Sequence, residues 1–260
     1  MIDFSGQRGL ILGIANQRSI ANGIALELSR LGAELALSYA PDPKRRFEHH
    51  VRELAKEINV TQVLPIDVQD DEQIRAGFAE LEKGWGGLDF VVHSVAYADR
   101  DDLARPFSET SRDGWQRALD ISAYSLVPIT REAARLMRKN GGGSVVALTF
   151  IGAERAVPNY GVMGPAKAAM EAAIRYLARE LGPENIRCNG LSAGAVRTLS
   201  SSGIKQFGEM LKVAGEHAAM QRNVTVEEVA QATAFLLSKS ASGITGQSIY
   251  VDCGFNIMVH

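Results

Sequence analysis

Two side chains of this 260-residue sequence have the types and spacing for proton chemistry. Tyr160 and Lys167 follow an apolar run, 144–149, and a turn through Gly152 and Pro158, at the head of an Ala-rich helical pattern. Seven positions are about two turns of an α-helix, so the spacing predicts both side chains on one face. An ammonium buried beside a phenol favours the phenolate and eases proton loss from that oxygen. The pair therefore suggests proton donation to a substrate oxygen. The same spacing also arises by chance, as a partly buried Tyr with a solvated Lys, so the elements that position the pair must decide.

Apolar runs predict strands at 8–14, 34–39, 62–66, 88–95, 144–149, 186–192 and 247–252. Helical patterns lie between them at 19–31, 44–58, 72–85, 112–139, 159–182 and 226–238. Short continuous apolar strands are expected where both faces of a sheet are covered. Alternating units of this kind predict the α/β class, a Rossmann-type doubly wound parallel sheet in a single domain over 1–260. One segment, 195–224, breaks the rhythm, rich in Ser and Gly and then amphipathic. It reads as a lid over a site or as a plain surface insertion.

With 46% hydrophobic and 22% charged residues the chain can bury a substantial core. A net charge of −2 gives no basic field for nucleic acid. Cys188 and Cys253 have neither metal-ligand spacing nor the density of a disulfide framework, so a reduced cytosolic setting is expected. No apolar run approaches the ~18 residues of a membrane span. Residues 1–8 lack a signal-peptide core, and a cytoplasmic protein is expected.

Ligands of open parallel sheets bind beyond the carboxyl ends of the strands. After the first strand, Gly13 and Gly23 bracket a loop into a helix start, where Ser19 and free N–H groups could hold a pyrophosphate. The G-x-G-x-x-G fingerprint is absent, so a capped helix start without ligand remains open. After the second, Ala40 supplies neither the acid that binds ribose hydroxyls nor a base for a 2′-phosphate, and Asp42 opposes Lys44, Arg45 and Arg46. After the third, Asp67 and Val68 suit an adenine; after the fourth, Ser94 to Ala98 bring small residues toward a ribose or ring. After the sixth, Ser192 to Thr198 could lie against a nicotinamide amide, with Arg197 better suited to a structural ion pair than to substrate.

Taken together, these residues resemble the short-chain dehydrogenase/reductase superfamily over essentially the full length. The chain is most similar to the enoyl-acyl-carrier-protein reductases of bacterial type II fatty acid synthesis. Ordinary members of the superfamily carry Tyr-x-x-x-Lys, whereas this chain has Tyr160-x6-Lys167, the enoyl reductase variant. Around it stand Gly-Ala-Glu-Arg-Ala-Val-Pro-Asn-Tyr, Ser-Ala-Gly-Ala-Val-Arg-Thr-Leu, Gly-Ile-Thr-Gly and Val-Asp-Cys-Gly-Phe, and Gly13-x5-Ser19-Ile20 matches that family's altered glycine loop.

The resemblance implies hydride transfer to the β-carbon of a trans-2-enoyl thioester carried on acyl-carrier protein. Tyr160 would stabilise the enolate, and Lys167 would hold the ribose hydroxyls. Gly13, Ser19, Ile20, Asp67, Val68, Val95, Lys167, Val196, Arg197, Thr198, Leu199 and Ser200 would line the dinucleotide. Ala98 would touch the acyl thioester, and 198–212 would be the substrate-binding loop. A homotetramer joined through 112–139 and 159–182 is implied as well. Phe150 stands where most bacterial members have a second Tyr, though the mycobacterial type has Phe, so it is assigned to packing or ring shielding on the substrate side. Ala195 replaces a usual Pro, and Gly190 is looser than usual; either could loosen the 198–212 loop or alter which acyl chain fits. Ala40 resembles members that prefer NADH over NADPH. Competing readings are a short-chain reductase acting on another enone or a carbonyl, and a non-catalytic dinucleotide-binding homologue.

Overall fold

The computed structural model describes residues 2–198 and 207–259. Its strands are β1 (Arg8–Leu12), β2 (Glu34–Tyr39), β3 (Gln62–Pro65), β4 (Phe90–His93), β5 (Gly143–Thr149), β6 (Ile186–Ala193) and β7 (Ser248–Val251). They form one seven-stranded sheet in the order β3-β2-β1-β4-β5-β6-β7. Every neighbouring pair is parallel. The chain leaves β1 toward one edge and returns to its other side at β4. The switch point of this Rossmann-type sheet therefore lies between β1 and β4.

The α-helices are α1 (Ile20–Arg30), α2 (Arg46–Glu57), α3 (Asp71–Trp85), α4 (Arg100–Ala104), α5 (Arg112–Leu119), α6 (Leu126–Met137), α7 (Met163–Leu181), α8 (Phe207–His217) and α9 (Val226–Leu237). Two apolar layers sandwich the sheet. Phe78 and Leu81 of α3, Leu126 and Ile129 of α6 and Met170 and Ile174 of α7 fill one layer. Ile24 and Leu28 of α1, Val51 of α2 and Val229 and Leu236 of α9 fill the other. Fully buried side chains of this size stabilise the fold by about 1.5–3 kcal/mol each.

Three differences from the sequence expectation bear on function. The helix expected over 112–139 is interrupted by a π turn at Asp120–Tyr124, where the Ser125 N–H donates to the Asp120 carbonyl at 3.0 Å. The helix expected from 159 begins only at Met163. Asn159 (φ 60°) and Gly161 (φ 49°) take left-handed backbone angles that a right-handed helix cannot contain, so Tyr160 sits in the turn before α7. The segment 195–224 contains α8, and Ala195 packs against Ala214, Met210 and Leu211 of that helix.

Candidate active site

At the switch point, Gly13 has φ +92° and lies against β4. A Cβ there would fall 2.0 Å from the Ser94 carbonyl oxygen, so only glycine lets the loop run this close. The loop closes on itself, with the Ser19 hydroxyl donating to the Asn16 carbonyl at 2.6 Å. The first turn of α1 carries no acid and no side-chain cap, whereas α3 is capped by Asp70 and α9 by Thr225, each with two acids in its first turn. The partial positive charge of α1 is thus left for an anion. Ser19 is buried and Ile20 half-buried at this helix start. These features fit a dinucleotide pyrophosphate.

The ends of the flanking strands lie along the same edge of the sheet. Asp67 accepts the Gln69 N–H at 3.0 Å. Val68 and Val95 are half-buried against one apolar layer, and Val196 against the other. The loop bearing Ala98 is pinned from below, because the buried Ser122 hydroxyl both accepts from Tyr97 N–H (2.9 Å) and donates to its carbonyl (3.0 Å). Ser122 belongs to the π turn. No helical period signals it; the only trace is a pair of serines, Ser122 and Ser125, inside an amphipathic run.

Tyr160 and Lys167 each pack against the carboxyl end of β5 and the turn that follows it. The Lys167 Nζ donates to the Leu148 carbonyl at 2.7 Å. The Tyr160 ring packs on Phe150 (centroids 4.8 Å apart) and on the backbone of Gly152, where a Cβ would lie 2.5 Å from Cδ1 of the ring. Phe150 is therefore a wall behind the phenol, as its side chain requires. Both members of the pair are buried. Burial pushes the Tyr160 phenol well above its ordinary value, and it brings Lys167 down to about 8 against the opposing pull of Glu171. Desolvation thus keeps Tyr160 a neutral hydroxyl, the form that can donate to a substrate oxygen.

Beneath the pair lies a polar layer that the sequence reading did not single out. The Thr149 hydroxyl donates to Glu171 Oε1 at 2.6 Å, and both residues are buried. His93, fully buried on β4, lies 2.8 Å from Ser125 Oγ through Nε2. The Ser125 hydroxyl donates to the Ile121 carbonyl, so it accepts from His93 Nε2–H, which fixes the tautomer. Burial, and then the Lys167 charge, lower His93 to about 3, so it stays neutral. Spacing alone offered no sign of these partners, which come from β4, β5 and the π turn.

Other expected residues fall less simply. Arg197 is exposed and makes no ion pair among the described residues, which corrects the structural ion pair expected for it; its guanidinium faces Gly208 at the start of α8. Thr198 is half-buried, while Leu199 and Ser200 lie outside the described residues, as does 199–206 of the expected loop. Among the described residues no cluster of three potential metal ligands occurs, and no helix is long and apolar enough to cross a membrane.

Comparison with known proteins adds to this geometry. Residues 13–256 match the family described as Enoyl-(Acyl carrier protein) reductase. The chain is 49% identical to the NADH enoyl-acyl-carrier-protein reductase FabI of Nostoc sp., over 99% of both proteins. It is 46% identical to the NADPH enoyl-acyl-carrier-protein reductase FabI of Staphylococcus aureus, over 98% of this chain and 99% of that one. Among solved structures, the enoyl-acyl-carrier-protein reductase of Anaplasma phagocytophilum in complex with NAD superposes with a TM-score of 0.94 at 41% identity, covering 99% of this chain and 96% of that one.

Proposed function

Because the chain belongs to the enoyl-acyl-carrier-protein reductase family, we propose that the site around Tyr160 and Lys167 reduces the trans-2 double bond of enoyl-acyl-carrier protein in fatty acid elongation. The observation that carries this reading is that a buried phenol and a buried amine both pack on the carboxyl end of β5 and the residues just after it, 148–152, beside a loop suited to a dinucleotide.

A reduced nicotinamide dinucleotide supplies the hydride. The Gly13 loop, Ile20 and the free N–H groups at the N-terminus of α1 would hold its pyrophosphate, with Ser19 joining them by turning its hydroxyl away from the Asn16 carbonyl; Asp67 and Val68 would hold its adenine, and Val95 with 196–200 its nicotinamide half. Lys167 has three N–H donors, of which Leu148 takes one, so the others can reach the ribose hydroxyls. Its positive charge also lies near the oxygen that becomes negative. The Tyr160 hydroxyl donates a hydrogen bond to the thioester oxygen as the enolate forms, and protonation at the α-carbon follows. Phe150 keeps water from the phenol, Ala98 borders the thioester, and 198–212 covers the acyl chain.

The cofactor is read as NADH in preference to NADPH. Ala40 offers no charge, and the arginines after β2 are engaged, Arg46 with Asp42 (3.0 Å) and Arg45 with Glu48 (2.7 Å). A 2′-phosphate would have to take them from their carboxylates. The protein is read as one cytoplasmic domain and a homotetramer; exposed Trp115, Tyr124 and Tyr176 on the α5–α6 and α7 segments support that face as the interface.

The test is spectrophotometric, with NADH and NADPH offered separately alongside crotonyl and longer enoyl thioesters. Oxidation of NADH dependent on the thioester is expected. If the folded protein oxidises neither cofactor, the reading fails; equal use of NADPH removes the cofactor preference alone.

A further inference from the structure

Glu171 is a buried acid to which the reaction as described gives no task. It lies four residues after Lys167 on α7, one turn further along the same face. Its carboxylate accepts the Thr149 hydroxyl at 2.6 Å, and the preceding residue, Leu148, accepts Lys167 Nζ at 2.7 Å. Consecutive residues of β5 therefore anchor the acid and the amine, which are not in direct ion-pair contact but lie close enough for the acid's charge to act on the amine, and both are nearly inaccessible to solvent. Burying an ammonium disfavours its charged form, and an opposite charge held nearby restores it.

We propose that Glu171, fixed by Thr149, is a positioning residue that keeps Lys167 protonated at the pH where the enzyme works. The proposal rests on the reading of Lys167 as the group that binds the ribose and faces the developing oxyanion. The titratable groups around the pair are few. Tyr160 enters from the turn before α7. His93 enters from β4 and is held neutral by burial. Tyr250 on β7 lies toward Glu154, Glu171 and Arg155, and burial with the facing acids pushes its phenol up. Neither phenol loses its proton in the neutral range, so Glu171 is the carboxylate that can offset the burial of Lys167.

The sign follows directly. Lys167, already lowered by burial, loses its proton at still lower pH once Glu171 is neutralised. The charge needed for cofactor and oxyanion then disappears at the alkaline end of the working range first.

The experiment compares wild type, Glu171→Gln and Thr149→Val across pH 6–9. The first readout is kcat/KM. The second is the 13Cε shift of Lys167 in the cofactor-free protein, assigned by its disappearance in Lys167→Met. In Glu171→Gln both midpoints are expected to move down by about one pH unit, with roughly fivefold lower kcat/KM at pH 8 and little loss at pH 6. Thr149→Val is expected to shift them the same way by less. A uniform loss at every pH with an unmoved Lys167 midpoint would mean that Glu171 only supports the fold, and the proposal would be wrong. An inactive wild type would instead overturn the reductase reading, and the lysine titration would still judge the charge coupling.

Discussion

Gly152 offers the sharpest test of how closely the phenol must be placed. Its φ is not in the left-handed region, so alanine is conformationally allowed there and the effect of Gly152→Ala is steric. The added Cβ would fall 2.5 Å from Tyr160 Cδ1 and 2.7 Å from Cε1, and 3.3 Å from Phe150 Cδ1. An ordinary contact begins near 3.4 Å, so the Tyr160 ring must retreat by about 0.9 Å or tilt by an equivalent amount. A displacement of about 1 Å at a reacting group can lower turnover by around 10²-fold, equivalent to about 2.7 kcal/mol of barrier. Overpacking itself costs about 1–3 kcal/mol of stability, which leaves a folded protein to assay. The dinucleotide cradle at the β1 and β4 ends is untouched. Gly152→Ala should therefore lose kcat against an enoyl thioester while keeping its affinity for NADH, read by nucleotide fluorescence. Full turnover in a folded Gly152→Ala protein would show either that the ring relaxes without consequence or that Tyr160 has no part in the chemistry. Tyr160→Phe separates those two outcomes.

Tyr160→Phe removes the hydroxyl and keeps the ring packed on Phe150, so turnover should fall by roughly 10²-fold or more with unchanged NADH affinity; wild-type kcat would remove Tyr160 from the mechanism. Gly13→Ala forces a Cβ into the Ser94 carbonyl at positive φ and should cost roughly 2–4 kcal/mol in denaturant titrations, with weakened dinucleotide binding; an unchanged midpoint would show that the loop has room. Lys167→Met should weaken cofactor binding yet stabilise the free protein near neutral pH. Folding lowers the Lys167 value from 10.5 to about 8, chiefly by burial, so the unfolded chain binds more protons between those values and stability rises with pH across that window. Below pH 8 the full cost is present, on the order of 3 kcal/mol. The gain in Lys167→Met should therefore be largest at pH 7 and vanish above pH 10.5; equal gains at both would point to packing instead.

The architecture was largely legible before any coordinates. The central strands β1, β4 and β5 are apolar runs buried on both faces, and such runs alternating with amphipathic helices point to a covered parallel sheet, whereas the edge strands β3 and β7 are only partly buried. The loop from Gly13 to Ser19 and the spacing from Tyr160 to Lys167 are local facts, and they carried the family resemblance with them, while Phe150 was legible as a departure from most bacterial members. The interrupted helix, by contrast, has no signature in its own residues. Its π turn is closed by Ser125, whose N–H donates to the Asp120 carbonyl and whose hydroxyl donates to the Ile121 carbonyl, and the Ser122 hydroxyl serves the distant loop at Tyr97.

The chemical pair divides along the same line. Sequence by itself determined which residues could move a proton and the fold that would carry them, because residue type and period are local properties. Tertiary structure alone decided their states. Tyr160 left the helix because left-handed residues flank it, and it stays protonated because Phe150 and Gly152 bury it. Burial brings the Lys167 ammonium down to about 8 against the opposing charge of Glu171, an acid anchored by Thr149 of β5, 22 positions before it in the chain. Desolvation and charge coupling depend on distances through space, and those exist only once the strands have assembled.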